Sequence, residues 1–273
     1  DGVGSFADIA RPMPETFRPV ARGPQDLAAI LYTSGTTGRS KGVMLTRDNL
    51  ASNAAALVGL WRFTGSDVLL HALPVFHTHG LFVATNCVLF SGASMIFHRA
   101  FNPSAVLSAL PKASVMVGVP TFYTRLLADP GLTRAACAHI RLFISGSAPL
   151  SPATHAEWRD RTGHAILERY GMTETNMITS NPYDGDRRAG TVGMPLPGVE
   201  VRVTAPDGTP LSQGEAGAIE VRGPNVFQGY WKLPEKTAEE FRDGRWFITG
   251  DMGAFDAQGY LSILGRAKDL VIT

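Results

Sequence analysis

The sequence of 273 residues predicts an α/β fold: a layered unit with a largely parallel sheet, followed by a smaller antiparallel, β-rich subdomain. Three observations predict it. From Leu27 to about Ser180, short apolar runs alternate with helical runs, the pattern of a sheet flanked by helices. Beyond about Arg187 the period falls to two: Val199, Val201 and Val203 alternate with Glu200, Arg202 and Thr204, and Ile219 and Val221 with Glu220 and Arg222. That alternation marks half-buried antiparallel strands. Near the start of the first unit lies a stretch too polar to be core, where a ligand loop belongs.

Taken in order, residues 1–25 hold Pro12, Pro14, Pro19 and Pro24 among scattered charges and read as a surface segment or linker. The α/β unit is placed at 26–186. Its apolar run Leu27–Leu31 leads into Thr-Ser-Gly-Thr-Thr-Gly-Arg-Ser-Lys-Gly at 33–42, with three glycines, five hydroxyls and two cations. Glycines let backbone N–H groups approach phosphate oxygens, and Lys41 adds charge. The Walker spacing is absent: counting from Gly35 puts Ser40 where the second glycine belongs, and from Gly38 puts Val43 there. P-loop kinases and ATPases are thereby disfavoured. A flexible polar linker also fits this stretch taken alone.

A helix is predicted from Asp48, burying Leu50, Ala54, Leu57 and Trp61 on one face. Strands are predicted over Val68–Leu73, Ser94–Phe97, Ser114–Val119 and Leu142–Ser145. Asn102-Pro103 and Ser151-Pro152 each open a helix as N-cap and first-turn proline, and Gly163 closes the second. The β-rich subdomain spans 187–264, with turn chemistry at Pro206-Asp207-Gly208. Residues 265–273 end in an apolar run, Leu270, Val271 and Ile272, with no stop signal, which predicts continuation into a further domain.

The composition is 44% hydrophobic and 18% charged, ample for a core. A net charge of +1 offers no basic field to nucleic acid or an anionic membrane. Gly80–Phe90, the most apolar stretch, is too short to span a bilayer. Cys87 and Cys137 lack zinc spacing and read as buried free thiols of a reducing compartment, the cytoplasm. No signal peptide is visible, and the opening at Asp1 suggests that the natural start lies elsewhere.

Further clusters carry possible chemistry. In Tyr170-Gly171-Met172-Thr173-Glu174 the tyrosine face can stack on a base, Gly171 lets a ligand near the backbone, Thr173 offers a hydroxyl and Glu174 can hold Mg²⁺. A helix start capped by Thr173 is the alternative. Ser145-Gly146-Ser147-Ala148-Pro149 ends a predicted strand, where ligands of α/β sheets sit. Without a Gly-x-Ser-x-Gly elbow, an acyl-enzyme serine is a poor alternative. Asp251 could meet a ribose diol with Arg266 nearby, although surface ion pairs also explain such residues. His77-Thr78-His79 fits packing or substrate lining better than zinc. Arg125, among Phe122, Tyr123, Leu126 and Leu127, either snorkels, pairs with an acid or grips a carboxylate ligand.

In this order the segments TSGTTGRSKG (33–42), SGSAP (145–149), YGMTE (170–174), GYWKLPEKT (229–237), TGD (249–251) and GRAKD (265–269) resemble the adenylate-forming superfamily of acyl-CoA synthetases, adenylation domains and luciferases. HALPVFHTHGLF (71–82), VPTFYTRLL (119–127), ERYGMTETNMITSNPYDGD (168–186) and FRDGRWFITGDMG (241–253) make the chain similar to malonyl-CoA synthetases within it. The resemblance implies an acid–thiol ligase that uses ATP, Mg²⁺ and coenzyme A. It implies that Ser34, Gly35, Thr36, Thr37, Gly38 and Lys41 embrace the β- and γ-phosphates, and that Thr173 meets the α-phosphate while Glu174 holds Mg²⁺. Gly146, Ala148, Pro149 and Tyr170 would bracket adenine beside Glu168, Asp251 and Arg266 would hold the ribose, and Lys268 would be a hinge. His77, Arg125 and Ser147 would line the acid pocket. Arg125 then supplies a physical case for a dicarboxylic acid, since a buried second carboxylate needs a cation. Members of this family are close to twice as long, so the chain is expected to lack an N-terminal part and a C-terminal domain with a catalytic lysine. The piece is accordingly expected to bind nucleotide, to adenylate poorly and to associate through exposed apolar faces.

Overall fold

A computed structural model describes residues 5–14, 16, 18–33 and 40–269. The first helix, α1 (Ser5–Ala10), stands where irregular chain is expected, and Asp8 pairs with Arg11 at its end. Strands β1 (Leu27–Thr33) and β2 (Lys41–Thr46) form an antiparallel hairpin with Thr33 opposite Lys41. The hydroxyl-rich loop therefore joins two antiparallel strands. Its Ser34, Gly35, Thr36, Thr37 and Gly38 lie outside the described residues. Leu27–Leu31 thus does not enter the parallel sheet: most of β1 is exposed or half-buried, whereas strands covered by helices on both sides are buried.

Helix α2 (Arg47–Leu60) starts at a reciprocal cap. The Thr46 hydroxyl accepts from Asn49 N at 3.1 Å, and Asn49 Oδ1 accepts from Thr46 N at 2.8 Å. Ala54, Leu57 and Trp61 are buried as predicted, and Leu50 is half-buried.

The main sheet contains β3 (Val68–His71), β4 (Ser94–Phe97), β5 (Val115–Gly118), β6 (Leu142–Ser145), β7 (Leu167–Met172), β8 (Asn176–Ser180) and β9 (Met194–Pro195). Its order is β4-β3-β5-β6-β7-β8-β9; β4 through β7 run parallel, and β8 and β9 are antiparallel. Helices α3 (Thr85–Ser91), α4 (Pro103–Ala109), α5 (Pro120–Leu127) and α6 (Pro152–Thr162) connect its strands. A π-helical turn, His79–Ala84, leads into α3. The predicted caps form: Asn102 accepts from Ala105 N at 3.0 Å, Ser151 from Thr154 N at 3.1 Å, and Gly163 closes α6 in the left-handed region. Phe143 on β6 meets Trp158 on α6 edge-on at 4.9 Å, which locks helix to sheet in the core.

The second sheet is antiparallel throughout. It holds β10 (Glu200–Thr204), β11 (Gly217–Arg222), β13 (Phe241–Arg242), β14 (Trp246–Phe255) and β15 (Leu261–Arg266). Strand β12 (Gly229–Tyr230) leaves it to pair with β2, setting Tyr230 opposite Val43, and α7 (Pro234–Glu239) follows. One expectation is corrected: the alternation places Glu220 on the polar face, yet it is fully buried. Arg202 donates to Oε2 at 2.7 Å, Arg242 to Oε1 at 2.5 Å and Thr204 to Oε1 at 3.0 Å, so two arginines roof the carboxylate over. Among the described residues no helix is long and apolar enough to cross a membrane.

Candidate active site

Beyond the carboxyl ends of the parallel strands the chain opens a cavity of about 1520 Å³. Leu73 and Pro74 follow β3, Val119 follows β5, Ser147 follows β6, and Gly171 to Glu174 end β7; all line it. That edge is where open α/β sheets bind ligands. Lys41 from β2, Tyr230 from β12, and Thr249 and Arg266 from β14 and β15 close the other side.

Three clusters of side chains define the chemistry. In the first, Lys41 Nζ donates to the Tyr230 hydroxyl at 3.0 Å, and that hydroxyl donates to Glu174 Oε1 at 3.1 Å. Lys41 also lies 3.5 Å from Glu240. Burial raises the pKa of Glu174, opposed by the Tyr230 hydrogen bond and the Lys41 charge. In the second, the Tyr170 hydroxyl donates to Asp251 Oδ2, while Arg266 Nε reaches Oδ1 at 3.0 Å. Burial, then the Asp251 charge, pushes the Tyr170 phenol well up, so it stays protonated.

The third cluster lies deeper. Ser147 Oγ meets His79 Nδ1 at 3.2 Å, and Ser147 adopts a left-handed φ of 69°. Burial, then the positive charge of Arg169, holds His79 well below its ordinary pKa, and it is neutral. Arg169 is only 3% exposed and lines the cavity, yet among the described residues its Nε and Nη2 have no hydrogen-bond partner. Burial lowers its pKa to about 9. Gly146 makes room for it: a Cβ there would fall 2.4 Å from Arg169 Cζ.

The predicted residues are thus distributed unevenly. Lys41, Thr173 and Glu174 share one wall, and Tyr170, Asp251 and Arg266 are joined by contact. The segment 170–174 is a strand end and turn, not a helix start. Glu168 is buried outside the cavity wall, and burial pushes its carboxyl up to about 7. Ala148 and Pro149 are exposed and do not line the cavity, and Lys268 lies at its mouth. His77 is an exposed wall residue beside Phe76, at 4.5 Å between rings. The picture of Arg125 as a buried cation is corrected: it faces outward on α5, its guanidinium 5.0 Å over the Phe101 ring, and it is outside the cavity wall. Leu126 and Leu127 turn inward instead, which leaves Arg125 on the exposed face of the helix.

Sequence reasoning missed Arg169, Tyr230, Glu240 and the inward member of the histidine pair, His79. Both Tyr230 and Arg169 stood inside quoted motifs, GYWKLPEKT and ERYGMTE. The one usable signal was a charged residue, Arg169, adjoining an apolar strand run.

The model of the AMP-binding enzymes matches residues 5–231, and the chain belongs to that family. Among solved structures, ATP-bound MatB from Rhodopseudomonas palustris is 63% identical with a TM-score of 0.97, covering 100% of this chain and 54% of that one. A malonyl-CoA ligase in complex with methylmalonyl-CoA and AMP is 42% identical with a TM-score of 0.85, over 91% of this chain and 55% of that one. A malonate–CoA ligase of Arabidopsis thaliana is 39% identical over 92% of this chain and 44% of its own length. The chain spans about half the length of the curated relatives it matches.

Proposed function

We propose that the protein is an AMP-forming acid–CoA ligase for a short dicarboxylic acid, malonate or methylmalonate. One observation carries the choice of acid. Arg169 is a buried guanidinium in the cavity with two donor atoms that lack partners among the described residues, and burying a charge without a counter-charge costs several kcal/mol. A second carboxylate on the substrate would supply the counter-charge. A plain fatty acid would leave the guanidinium stranded, as the exposed Arg125 could not replace it. Similarity to the malonate–CoA ligases supports the same reading.

In the first step a carboxylate oxygen attacks the α-phosphorus of ATP, the bond to the β-phosphate bridging oxygen breaks, and pyrophosphate leaves. In the second, coenzyme A thiolate attacks the acyl carbonyl and AMP departs. The protein's part is positioning and charge neutralisation. On this reading Lys41, with Ser34 to Gly38, meets the β- and γ-phosphates and Thr173 the α-phosphate. Tyr170 offers its ring to adenine, and Asp251 and Arg266 hold the ribose. His77 and Ser147 line the acid's path, and Lys268 at the cavity mouth is a hinge residue. Glu174 fits Mg²⁺ as a single anchoring carboxylate, because that ion keeps phosphate and water oxygens for its other positions. Bound there, Mg²⁺ would neutralise phosphate charge. Free buried Cys87 and Cys137 suit a reducing compartment, such as the cytoplasm. The matching ligase of Mus musculus is named as mitochondrial.

The test is Arg169→Met in the whole protein, with malonate- and propionate-dependent ATP–pyrophosphate exchange measured side by side. Malonate exchange is expected to fall by about a hundredfold, the size of a lost charge pair, with propionate exchange and ATP affinity little changed. An equal fall for both acids overturns the dicarboxylate reading.

A further inference from the structure

We infer that Tyr230 is a positioning residue for ATP, holding the Lys41 ammonium and the Glu174 carboxylate at a fixed separation. The inference rests on the ATP reading above. Its observations are geometric. Tyr230 is 3% exposed, yet its hydroxyl sits on the cavity wall between a cation and an anion, accepting from Lys41 at 3.0 Å and donating to Glu174 at 3.1 Å. Lys41 also rides over the phenol ring, 4.2 Å from its centroid. One side chain therefore grips the ammonium by both its π-face and its oxygen.

The backbone shows that this grip is built in. Strand β12 is only Gly229–Tyr230, and it pairs with the strand that Lys41 begins. The Tyr230 N–H donates to Thr237 Oγ1 at 2.9 Å, and Phe227 packs its ring edge-on against the phenol at 4.8 Å. The phenol thus has little freedom. Lys is a flexible point charge on four methylenes, and a loop that embraces phosphate gains from having it pre-placed. Among the described residues, Glu240 is the acidic side chain paired with that ammonium, at 3.5 Å, and Lys236 stands 3.0 Å from the same carboxylate. Lys236 balances Glu240 independently of Lys41, so phosphate can replace Glu240 as the partner of the ammonium while Tyr230 keeps its hold on both Lys41 and Glu174.

AMP needs neither the β- and γ-phosphates nor the cation that meets them, which gives a selective readout. In the whole protein, Tyr230→Phe keeps the ring and removes the bridge. Isothermal titration calorimetry is expected to show Mg-ATP binding weakened about tenfold, with AMP binding within about twofold of the parent. The Mg²⁺ concentration for half-maximal ATP binding should rise several-fold. In a Lys41→Met background the same change should add little to the loss already present, because the bridge has lost one end. Unchanged ATP affinity, equal loosening of ATP and AMP, or full additivity with Lys41→Met overturns the inference. A variant that does not fold also counts against it, by showing a structural role. If the parent binds neither nucleotide, the ATP reading itself falls; if it binds both and Tyr230→Phe behaves like the parent, this inference alone fails.

Discussion

Glu168 and Arg169 are neighbours on β7, and burial displaces both pKa values against their charged forms, the carboxyl up to about 7 and the guanidinium down to about 9. They do not neutralise each other because successive strand residues point to opposite faces. Arg169 faces the cavity, and Glu168 accepts from Gly190 N at 3.4 Å. The sign for stability follows. The folded pKa of Glu168 lies above the unfolded value of 4.5, so the native state holds this proton more tightly. That contribution is fully present below the unfolded pKa and is lost as pH rises through about 7. Glu168→Gln removes the titration. Between about pH 5 and pH 8, thermal denaturation should show the parent losing more stability than the variant; parallel pH curves for the two would contradict the burial of a proton-binding carboxyl.

The β7–β8 hairpin is the element that delivers Thr173 and Glu174 to the cavity, and its geometry depends on Gly171. A Cβ there would fall 1.9 Å from the carbonyl oxygen of Asn176 across the hairpin, where the register shifts. Neither atom belongs to a flexible side chain, so the turn must open. Gly171→Ala is expected to cost about 1–3 kcal/mol in urea denaturation and to weaken ATP binding with it. A stable variant with parental affinity would show that the hairpin does not set the site. This element also shows what a sequence can disclose. Caps at Asn102 and Ser151, the closing Gly163 and the strands at 94–97 and 142–145 are local facts, settled by a residue and its near neighbours. The YGMTE segment was legible as a ligand-binding stretch, but not as a strand and turn, because its partner is β8 and not its own helix. Arg169 and Arg125 show the same limit. Each sits beside apolar residues, but Arg169 is buried in space left by Gly146, which follows a different strand. The pairing of β12 with β2, which builds the Lys41 cluster, joins residues about two thirds of the chain apart and leaves no local trace.

At the scale of the molecule, the cavity has its walls on different sheets, and three buried amides keep those walls in register. Asn49 Nδ2 on α2 donates to the carbonyls of Pro224 and Val226, at 2.7 and 2.9 Å, just before the strand that carries Tyr230. Asn53 on the same helix donates to Met177 O at 2.8 Å and accepts from Met177 N at 3.2 Å, just after the turn that carries Glu174. Asn225 closes the triangle, donating to Thr175 O at 2.8 Å and to the same Met177 O at 3.1 Å. The separation between Tyr230 and Glu174 is thereby fixed from behind, by hydrogen bonds to backbone carbonyls that are buried at Thr175, Met177 and Val226. Met177 O has two amide donors, so either one alone still satisfies it, and losing both leaves a buried acceptor unpaired. Asn53→Ala and Asn225→Ala should each destabilise the protein, and the double variant should exceed the sum of the two by about 1 kcal/mol. Urea midpoints for the four proteins of the cycle measure this directly. Simple additivity would mean that the two amides act on separate parts of the structure. A surplus accompanied by weaker Mg-ATP binding would show that the joint behind the cavity sets the distance across it.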